Sequence, residues 1–188
     1  CSMEFNMLSN EQIKEIWEEQ KHLDDEIRVK NNIPMKNDLT FEKYIALKTE
    51  LFEFANKIEA FKFWKKHKGK EGVLEEGIDA MHFIFSLAIE MGVNLEINED
   101  NTAGMQDMFK KTIDDLKEVS LPTAINENIV IMDLMLGELV TNQEGGILLP
   151  VLVLLCMTLQ MCDYSIEDIY NAYIRKNEIN HKRQEENY

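Results

Sequence analysis

The sequence is poor in the residues that mark several protein classes. Its 188 residues include only three cysteines, Cys1, Cys156 and Cys162, whose number and spacing suit neither a disulfide framework nor a cysteine-ligated zinc site. Three prolines and eight glycines are too few for a many-stranded or disordered chain. The most apolar stretch, residues 147–161, is shorter than the ~20 residues that a membrane span needs. We therefore expect a soluble helical protein in a reducing, cytoplasmic setting, with no membrane partner.

Basic residues are scarce as well. Lys and Arg number 20 against 35 Asp and Glu, so the formal net charge is −15 at pH 7. A surface of that sign repels the backbone of DNA or RNA, and we expect no nucleic-acid partner. The length is typical of one domain. We assign residues 4–188 to a single domain and interpret residues 1–3 as a cloning remnant.

Apolar residues recur at helical spacing along most of the chain, whereas strand-like alternation is nearly absent. We predict an all-α, multi-helix bundle. The first helix follows a capping box at residues 9–12 and stops near Asn31. The other helices are predicted at about residues 40–62, 73–91, 105–119, 129–140, 148–161 and 165–186. We predict a loop at residues 92–104 and a break at Pro122.

Two pairs of carboxylates lie at the edges of apolar helix faces. Glu50 and Glu53 are three residues apart on the second predicted helix. Glu76 and Asp79 repeat this spacing on the third helix, one turn before Phe83. Each pair alone is typical of a solvated helix face, but two pairs on neighbouring helices would repel each other unless a cation compensated them. Oxygen ligands of this kind suit Mg²⁺ or Mn²⁺, and Mg²⁺ often completes its shell with substrate phosphate.

Positive groups for a phosphate ligand occur in two places. The connection between the two acidic helices carries five lysines and no acid: Lys62, Lys65, Lys66, Lys68 and Lys70. The last predicted helix places polar residues on one face at steps of three and four: Tyr173, Lys176, Asn180, Arg183 and Asn187. This polar face is either an ordinary exposed helix end or a phosphate-binding surface.

Gln20 and Asp24 fall on the apolar face of the first predicted helix. Buried polar groups cost free energy unless they are hydrogen-bonded, so these side chains pair with each other or the backbone, or they bind a ligand. Uracil presents one N–H donor between two carbonyl acceptors, an edge that an amide and a carboxylate can match. His82 follows the pair Glu76 and Asp79 and precedes Phe83, so it is a candidate for the wall of a pocket beside these acids.

Five blocks of the sequence resemble the dimeric, all-α dUTP diphosphatases. That family belongs to the wider all-α nucleoside triphosphate pyrophosphatase group, which includes the MazG-like proteins. The blocks read QKHLD at residues 20–24, ELFEFAN at 50–56, FKFW at 61–64, EEGIDAMHF at 75–83 and KNEINHKRQEENY at 176–188. The FKFW, His-Phe and terminal N-x-x-R-Q blocks favour the dUTPase branch, whereas residues 92–130 match nothing in the family pattern.

The resemblance implies a Mg²⁺-dependent homodimer that hydrolyses dUTP to dUMP and diphosphate, with dUDP as a further substrate; Mn²⁺ is a possible substitute ion. It assigns the metal to Glu50, Glu53, Glu76 and Asp79. Glu53 would also orient or deprotonate the attacking water, which makes it the catalytic residue. The metal would polarise the α-phosphate and neutralise charge on the leaving diphosphate.

The resemblance also implies the nucleotide-binding residues. Phosphate binding falls to four residues near the C-terminus: Lys176, Asn180, Arg183 and Tyr188. The base and the rest of the nucleotide are bound by a second set: Gln20, Asp24, Asn56, Lys62, Trp64, His82 and Phe83. Asp24 stands where many relatives carry Asn, and a carboxylate cannot donate to a uracil carbonyl. Two alternatives stay open: a MazG-like pyrophosphatase for another nucleotide, and a helical regulatory protein without activity.

Overall fold

The computed structural model describes residues 3–66 and 69–186. Within these ranges the chain forms α-helices, one short 3-10 turn and no strand, which confirms the prediction of an all-α bundle. The helices are α1 (Asn10–Lys30), α2 (Thr40–Ile58), α3 (Val73–Met91), α4 (Glu99–Glu118), α5 (Leu121–Asn142), α6 (Leu148–Met161) and α7 (Ile166–Glu185). The 3-10 turn covers Gly145–Ile147, directly before α6.

Side-chain caps fix the beginnings of α1 and α7. Ser9 accepts a hydrogen bond from the backbone amide of Gln12, whose side chain accepts one from the amide of Ser9, so the predicted capping box is present. Ser165 and Asp168 form the same reciprocal pair at the start of α7. These caps satisfy backbone amides that no helical carbonyl reaches, and they place both helix starts where the sequence predicts them.

The predicted loop at residues 92–104 is wrong at its end, because α4 already begins at Glu99. Asn98 caps this helix and accepts hydrogen bonds from two backbone amides of its first turn. The cap satisfies the amides that a polar segment would otherwise expose, so the helix starts six residues earlier than its apolar pattern indicates.

Two other boundaries also differ from the prediction. α5 begins at Leu121, with Pro122 in its first turn, so this proline starts a helix and does not break one. A proline fits there because the first amides of a helix need no helical carbonyl. α2 ends at Ile58 and not near Lys62, since Glu59 adopts a left-handed backbone conformation with φ 61°.

α3 lies at the centre of the bundle, where it contacts α1, α2, α6 and α7. It is buried over most of its circumference, as its sequence predicts. Gly77 allows α6 to approach α3 closely, because a Cβ atom at this position would stand 2.7 Å from a methyl carbon of Leu159. α4 and α5 pack in turn against α6. The core is therefore built around α3 and α6.

α2 and α3 run antiparallel, and their register positions the acidic residues. Lys43 of α2 donates a hydrogen bond to the backbone carbonyl of Ser86 on α3. Seven residues later on α2, Glu50 lies beside Asp79, which is seven residues before Ser86. Residues further along α2 therefore contact residues earlier in α3, which means that the two helices are antiparallel. This arrangement brings the two carboxylate pairs of the sequence to the same level.

No single helix in the described ranges is both long enough and apolar enough to cross a membrane. The segments Gly145–Met161 and Ile166–Glu185 pass a test of length and composition only as a pair bent by 111°. Eleven of the fourteen residues of α6 are buried among the other helices.

Candidate active site

The carboxylates of α2 and α3 form one cluster. Glu50, Glu76 and Asp79 each place a carboxylate oxygen within 4.8 Å of the others. Glu53, one turn further along α2, lies close enough to Glu50 and Glu76 that its charge acts to raise the pKa of both carboxyls. We call these four residues the acid cluster. The structure thus brings together the four acids that the sequence singles out.

The acid cluster holds more negative charge than its surroundings stabilise. Burial, followed by repulsion from Asp79 and Glu53, raises the pKa of Glu50 to about 7. Burial and the same two neighbours raise the pKa of Glu76. Burial also raises the pKa of Asp79, although a lysine beside it acts in the opposite direction. A divalent cation would remove this repulsion, so the oxygen donors fit Mg²⁺ or Mn²⁺.

α7 places positive side chains against the acid cluster. Lys176 Nζ lies 3.0 Å from Asp79 Oδ1 and 3.3 Å from Glu75 Oε1. Arg183 is close enough to Asp79 that its charge opposes the rise in the pKa of that carboxyl. Asn180 lies between these two cations in sequence and is half-buried. Two cations of the predicted phosphate-binding face therefore reach the site.

Other members of that face behave differently. Tyr173 is fully buried, and its hydroxyl donates a hydrogen bond to Gln20 Oε1 at 2.6 Å. Tyr173 therefore belongs to the core and not to the polar face on which its spacing places it, because its aromatic ring is buried and its hydroxyl has an internal acceptor. Asn187 and Tyr188, the latter a predicted phosphate-binding residue, lie outside the described residues.

Gln20 and Asp24 bind each other, which is one of the two alternatives that the sequence leaves open. Gln20 Nε2 donates to Asp24 Oδ1 at 2.9 Å. The second carboxylate oxygen of Asp24 accepts hydrogen bonds from Lys43 Nζ at 3.1 Å and from Ser86 Oγ at 2.7 Å. Both residues are thus engaged within the protein, and their predicted contact with a base stays a prediction.

His82 is buried beside Gln20, and one of its nitrogens has no partner. The residue is 5% exposed, and its ring stacks on Tyr173 with the centroids 4.2 Å apart. Burial, followed by the charge of Lys176, lowers the pKa of His82 to about 3, so the imidazole is neutral near pH 7. Its Nδ1 lies 2.7 Å from Gln20 Oε1 and donates to it, which leaves Nε2 as a buried acceptor without a donor among the described residues.

Asn56 and Phe83 lie on the two helices that carry the acids. Asn56 is exposed, one turn after Glu53, and lines a surface groove together with Glu53 and Phe52. Phe83 is half-buried and packs against the core. Both residues are placed one turn beyond an acid of the cluster, as their spacing predicts.

Lys62 and Trp64 belong to the connection that follows α2. Lys62 Nζ binds Glu59 Oε1 at 2.7 Å, and Lys65 binds the other oxygen of the same carboxylate. These two hydrogen bonds lower the pKa of Glu59 to about 2. Trp64 is 67% exposed and contacts the neighbouring rings of Phe61 and Phe63 edge-on.

The sequence interpretation missed two lysines of α2. Lys57 is close enough to Glu76 that its charge opposes the rise in the pKa of that carboxyl. Lys43 forms an ion pair with Glu90, with Nζ 2.8 Å from Oε2. Lys43, Glu50 and Lys57 follow one another at steps of seven, which places them on the side of α2 that faces α3. That spacing is the signal by which both lysines could have been found.

The fold and the site together define an all-α protein with a carboxylate cluster suited to a divalent cation and with cations beside it suited to phosphate. The sequence model of a family described as dUTPase matches residues 12–188, including residues 92–130, where no block was recognised. The chain belongs to the dUTPase family and is therefore a nucleotide pyrophosphatase hydrolase. A comparison with curated proteins found no match.

Proposed function

We propose that this protein binds Mg²⁺ through the acid cluster and hydrolyses dUTP to dUMP and diphosphate, and dUDP to dUMP and phosphate. The observation that carries the proposal is the convergence of Glu50, Glu76 and Asp79, whose pKa values are all raised above their ordinary values. In the reaction with dUTP, a water oxygen bonds to the α-phosphorus. The bond from that phosphorus to the bridging oxygen breaks, and diphosphate leaves.

The acid cluster is the part of the protein that would hold Mg²⁺, with Mn²⁺ as the next best ion. When bound, the ion would withdraw charge from the phosphates and make the α-phosphorus easier to attack. Because burial and repulsion raise the pKa of Glu50 to about 7, this carboxyl is partly protonated near pH 7 in the metal-free protein. Binding of the ion therefore requires that Glu50 release its proton.

Glu53 is the proposed general base. It is exposed at the end of the acid cluster, in the groove that Asn56 also lines, so water can reach its carboxylate. It lies one turn from Glu50 on the same helix, which fixes its position relative to the other three acids. In this place the carboxylate of Glu53 can orient the attacking water and accept its proton.

Lys176, Asn180 and Arg183 are the proposed phosphate ligands. Lys176 compensates Asp79 in the protein alone, so a nucleotide with its cation would release this ammonium group to bind phosphate. His82 Nε2, which accepts no hydrogen bond from the described residues, is the proposed acceptor for an N–H or O–H group of the nucleotide. Gln20 contributes by holding the imidazole ring through Nδ1.

A panel of nucleotides at equal concentration tests this function. With Mg²⁺ present we expect dUTP to be cleaved at least ~100-fold faster than dCTP or dTTP, since a site built for one base edge rejects the others strongly. Chelation of the divalent ion should remove the activity. If dCTP and dTTP are cleaved as fast as dUTP, selection of uracil is contradicted.

That outcome would support the second candidate, a MazG-like pyrophosphatase for another nucleotide. One observation favours it. One carboxylate oxygen of Asp24 accepts a hydrogen bond from Gln20, and the other accepts hydrogen bonds from Lys43 and Ser86. A side chain engaged in this way offers a base fewer free groups than the resemblance implies. The same panel therefore decides between the two candidates.

We also propose that the protein is a homodimer. α2 and α5 expose large apolar side chains: Phe41, Ile45, Phe52, Val130 and Leu134. Lys48 of α2 and Asp133 of α5 form an ion pair that joins the two helices. Sedimentation equilibrium should show a dimer that Leu134→Arg dissociates. Val29→Arg, at an equally exposed apolar residue of α1, is the control and should leave the dimer intact.

Two further predictions are kept as proposals. Cys156 and Cys162 are free thiols, which fits a reducing, cytoplasmic setting.

We propose that residues 4–188 form one domain, because α3 contacts helices from both halves of the chain. Limited proteolysis should then release no stable fragment of about half the length.

A further inference from the structure

Two imidazoles and a carboxylate meet between α1 and α7, outside the acid cluster. His22 and Glu26 are four residues apart on α1 and share one helix face. His181 projects from α7 toward them, and all three residues place a potential ligand atom within 4.8 Å of the other two. The proposed hydrolysis of dUTP uses none of these side chains.

The carboxylate of Glu26 lies between the two rings. Its Oε2 is 2.6 Å from His181 Nδ1, and its Oε1 is 3.5 Å from His22 Nε2. The ring centroids of His22 and His181 are 5.1 Å apart. Two ligands of one tetrahedral zinc ion are about 3.3 Å apart, given metal–ligand bonds of about 2.0 Å. The two nitrogen–oxygen separations lie on either side of that value, and all three ligand atoms lie within 4.8 Å of one another.

The second nitrogen of His181 has a carboxylate of its own. Its Nε2 lies 3.9 Å from Glu19 Oε2, on the side of the ring away from Glu26. Glu19 is in turn held by Asn177, a residue only 2% exposed, whose Nδ2 donates to the same oxygen at 2.9 Å. Metal-ligating histidines commonly donate their other N–H to a carboxylate, which fixes the tautomer and the ring orientation. The contact of Glu19 with His181 is longer than a hydrogen bond, so Glu19 takes this role by moving closer to Nε2 when the ion binds.

We propose that His22, Glu26 and His181 bind a divalent transition-metal ion such as Zn²⁺ and that this ion ties α7 to α1. Imidazole nitrogens favour Zn²⁺ and similar ions, whereas Mg²⁺ prefers sites made of oxygen ligands. Three protein ligands leave the fourth tetrahedral position to water. Because α7 also carries Lys176 and Arg183, the ion holds in place the helix that supplies cations to the acid cluster.

Titration of the full chain with Co²⁺ in excess Mg²⁺ tests the site. Mg²⁺ saturates oxygen-ligand sites, while Co²⁺ bound to nitrogen ligands absorbs visible light in a way that reports its coordination. We expect one Co²⁺ per chain, displacement of it by Zn²⁺, and a rise of the melting temperature with Zn²⁺, since a ligand that binds only the folded state stabilises it. The absence of a saturable Co²⁺ spectrum would overturn the proposal.

Variants assign the ligands. His22→Gln removes one exposed ligand and should weaken Co²⁺ binding at least ~10-fold, and Glu19→Gln should weaken it by about 10–100-fold through the orientation of His181. The matched control is Asp79→Asn, which alters the acid cluster and should leave Co²⁺ binding unchanged. Undiminished affinity in His22→Gln, or loss of Co²⁺ binding in Asp79→Asn, would contradict the assignment. Neither result depends on whether the protein cleaves dUTP.

Discussion

The helix pair α2–α3 carries two polar clusters whose charges are compensated in different ways. Glu90 lies near the end of α3, beside the start of α2. It accepts hydrogen bonds from Arg28 at 2.8 and 3.0 Å and from Lys43 at 2.8 Å. Lys43 also binds Asp24. We call these four residues the ion-pair network. Seven residues further along α2, the acid cluster contains carboxylates alone, and Lys176, the cation that forms an ion pair with it, lies on α7.

The two clusters respond to burial in opposite ways. In the ion-pair network, burial acts to raise the pKa of Glu90, but hydrogen bonds from Lys43, the amide of Leu39 and Arg28 outweigh it and lower the pKa. In the acid cluster, burial and repulsion act together and raise the pKa of Glu50 to about 7. A polar cluster satisfied within the protein stabilises a fold, whereas one left with excess charge indicates a binding or catalytic site.

The largest effect is expected from Glu53→Gln, which tests whether the acid cluster is catalytic. The amide keeps the size of the side chain but cannot accept a proton, so kcat for dUTP should fall by about 10²–10⁴-fold. The melting temperature should change little, because Glu53 is exposed. Steady-state kinetics and thermal unfolding measure the two quantities. Glu138→Gln, at an exposed glutamate of α5, is the control, and an unchanged kcat in Glu53→Gln would refute the assigned role.

Glu90→Ala tests whether the ion-pair network stabilises the fold. Arg28 and Lys43 are about nine-tenths buried and would lose their shared carboxylate, so the free energy of unfolding should fall by about 3–5 kcal/mol. Urea denaturation measures this loss. Glu138→Ala should cost less than about 0.5 kcal/mol, as is usual for exposed positions. A similarly small loss in Glu90→Ala would mean that the network does not stabilise the fold.

The fold was predictable where a single local signal decides the structure. The capping boxes at Ser9 and Ser165 and the apolar stretches of α3 and α6 gave helices at the expected places. Predictions failed where a polar cap or an unusual residue conformation decided instead. α4 starts at an Asn98 cap within a polar segment, and α2 ends at Glu59, whose left-handed conformation has no glycine to signal it.

The site was predictable in its acids and less so in its surroundings. The spacing of Glu50, Glu53, Glu76 and Asp79 identified residues that the antiparallel register then brought together. The contacts of Gln20 with Tyr173 and His82 could not be predicted, because these two residues are distant in sequence and meet Gln20 only when α1, α3 and α7 pack. Long-range packing leaves no periodic pattern in one segment of a sequence.

A smaller effect is expected from Lys176→Met, which tests whether this lysine binds phosphate and an exposed lysine of the same helix does not. The ammonium group binds Asp79 in the protein alone and is proposed to bind phosphate in the complex. Loss of a hydrogen bond to a charged group costs about 1.5–3 kcal/mol, so kcat/KM for dUTP should fall by about 10–100-fold. Lys182→Met, at an exposed lysine of the same helix, should leave kcat/KM within about twofold. Equal effects of the two substitutions would remove the phosphate-binding role.

The smallest effect concerns stability and pH in the acid cluster without metal. The folded protein binds the proton of Glu50 more tightly than the unfolded chain, since folding raises the pKa from 4.5 to about 7. The contribution of Glu50 to the free energy of unfolding therefore falls as pH rises from about 4.5 to 7 and stays low above that interval.

Glu50→Gln removes this titration and the repulsion that causes it. At pH 8 without metal, the variant should be more stable than the parent by about 1 kcal/mol, after allowance for solvent screening. For a chain of this length that corresponds to roughly 2–4 °C in melting temperature. The difference should vanish near pH 4.5, and addition of Mg²⁺ at pH 8 should stabilise the parent more than the variant. A variant that is less stable than the parent at pH 8 would show that the excess charge of the acid cluster is compensated inside the protein, as it is in the ion-pair network.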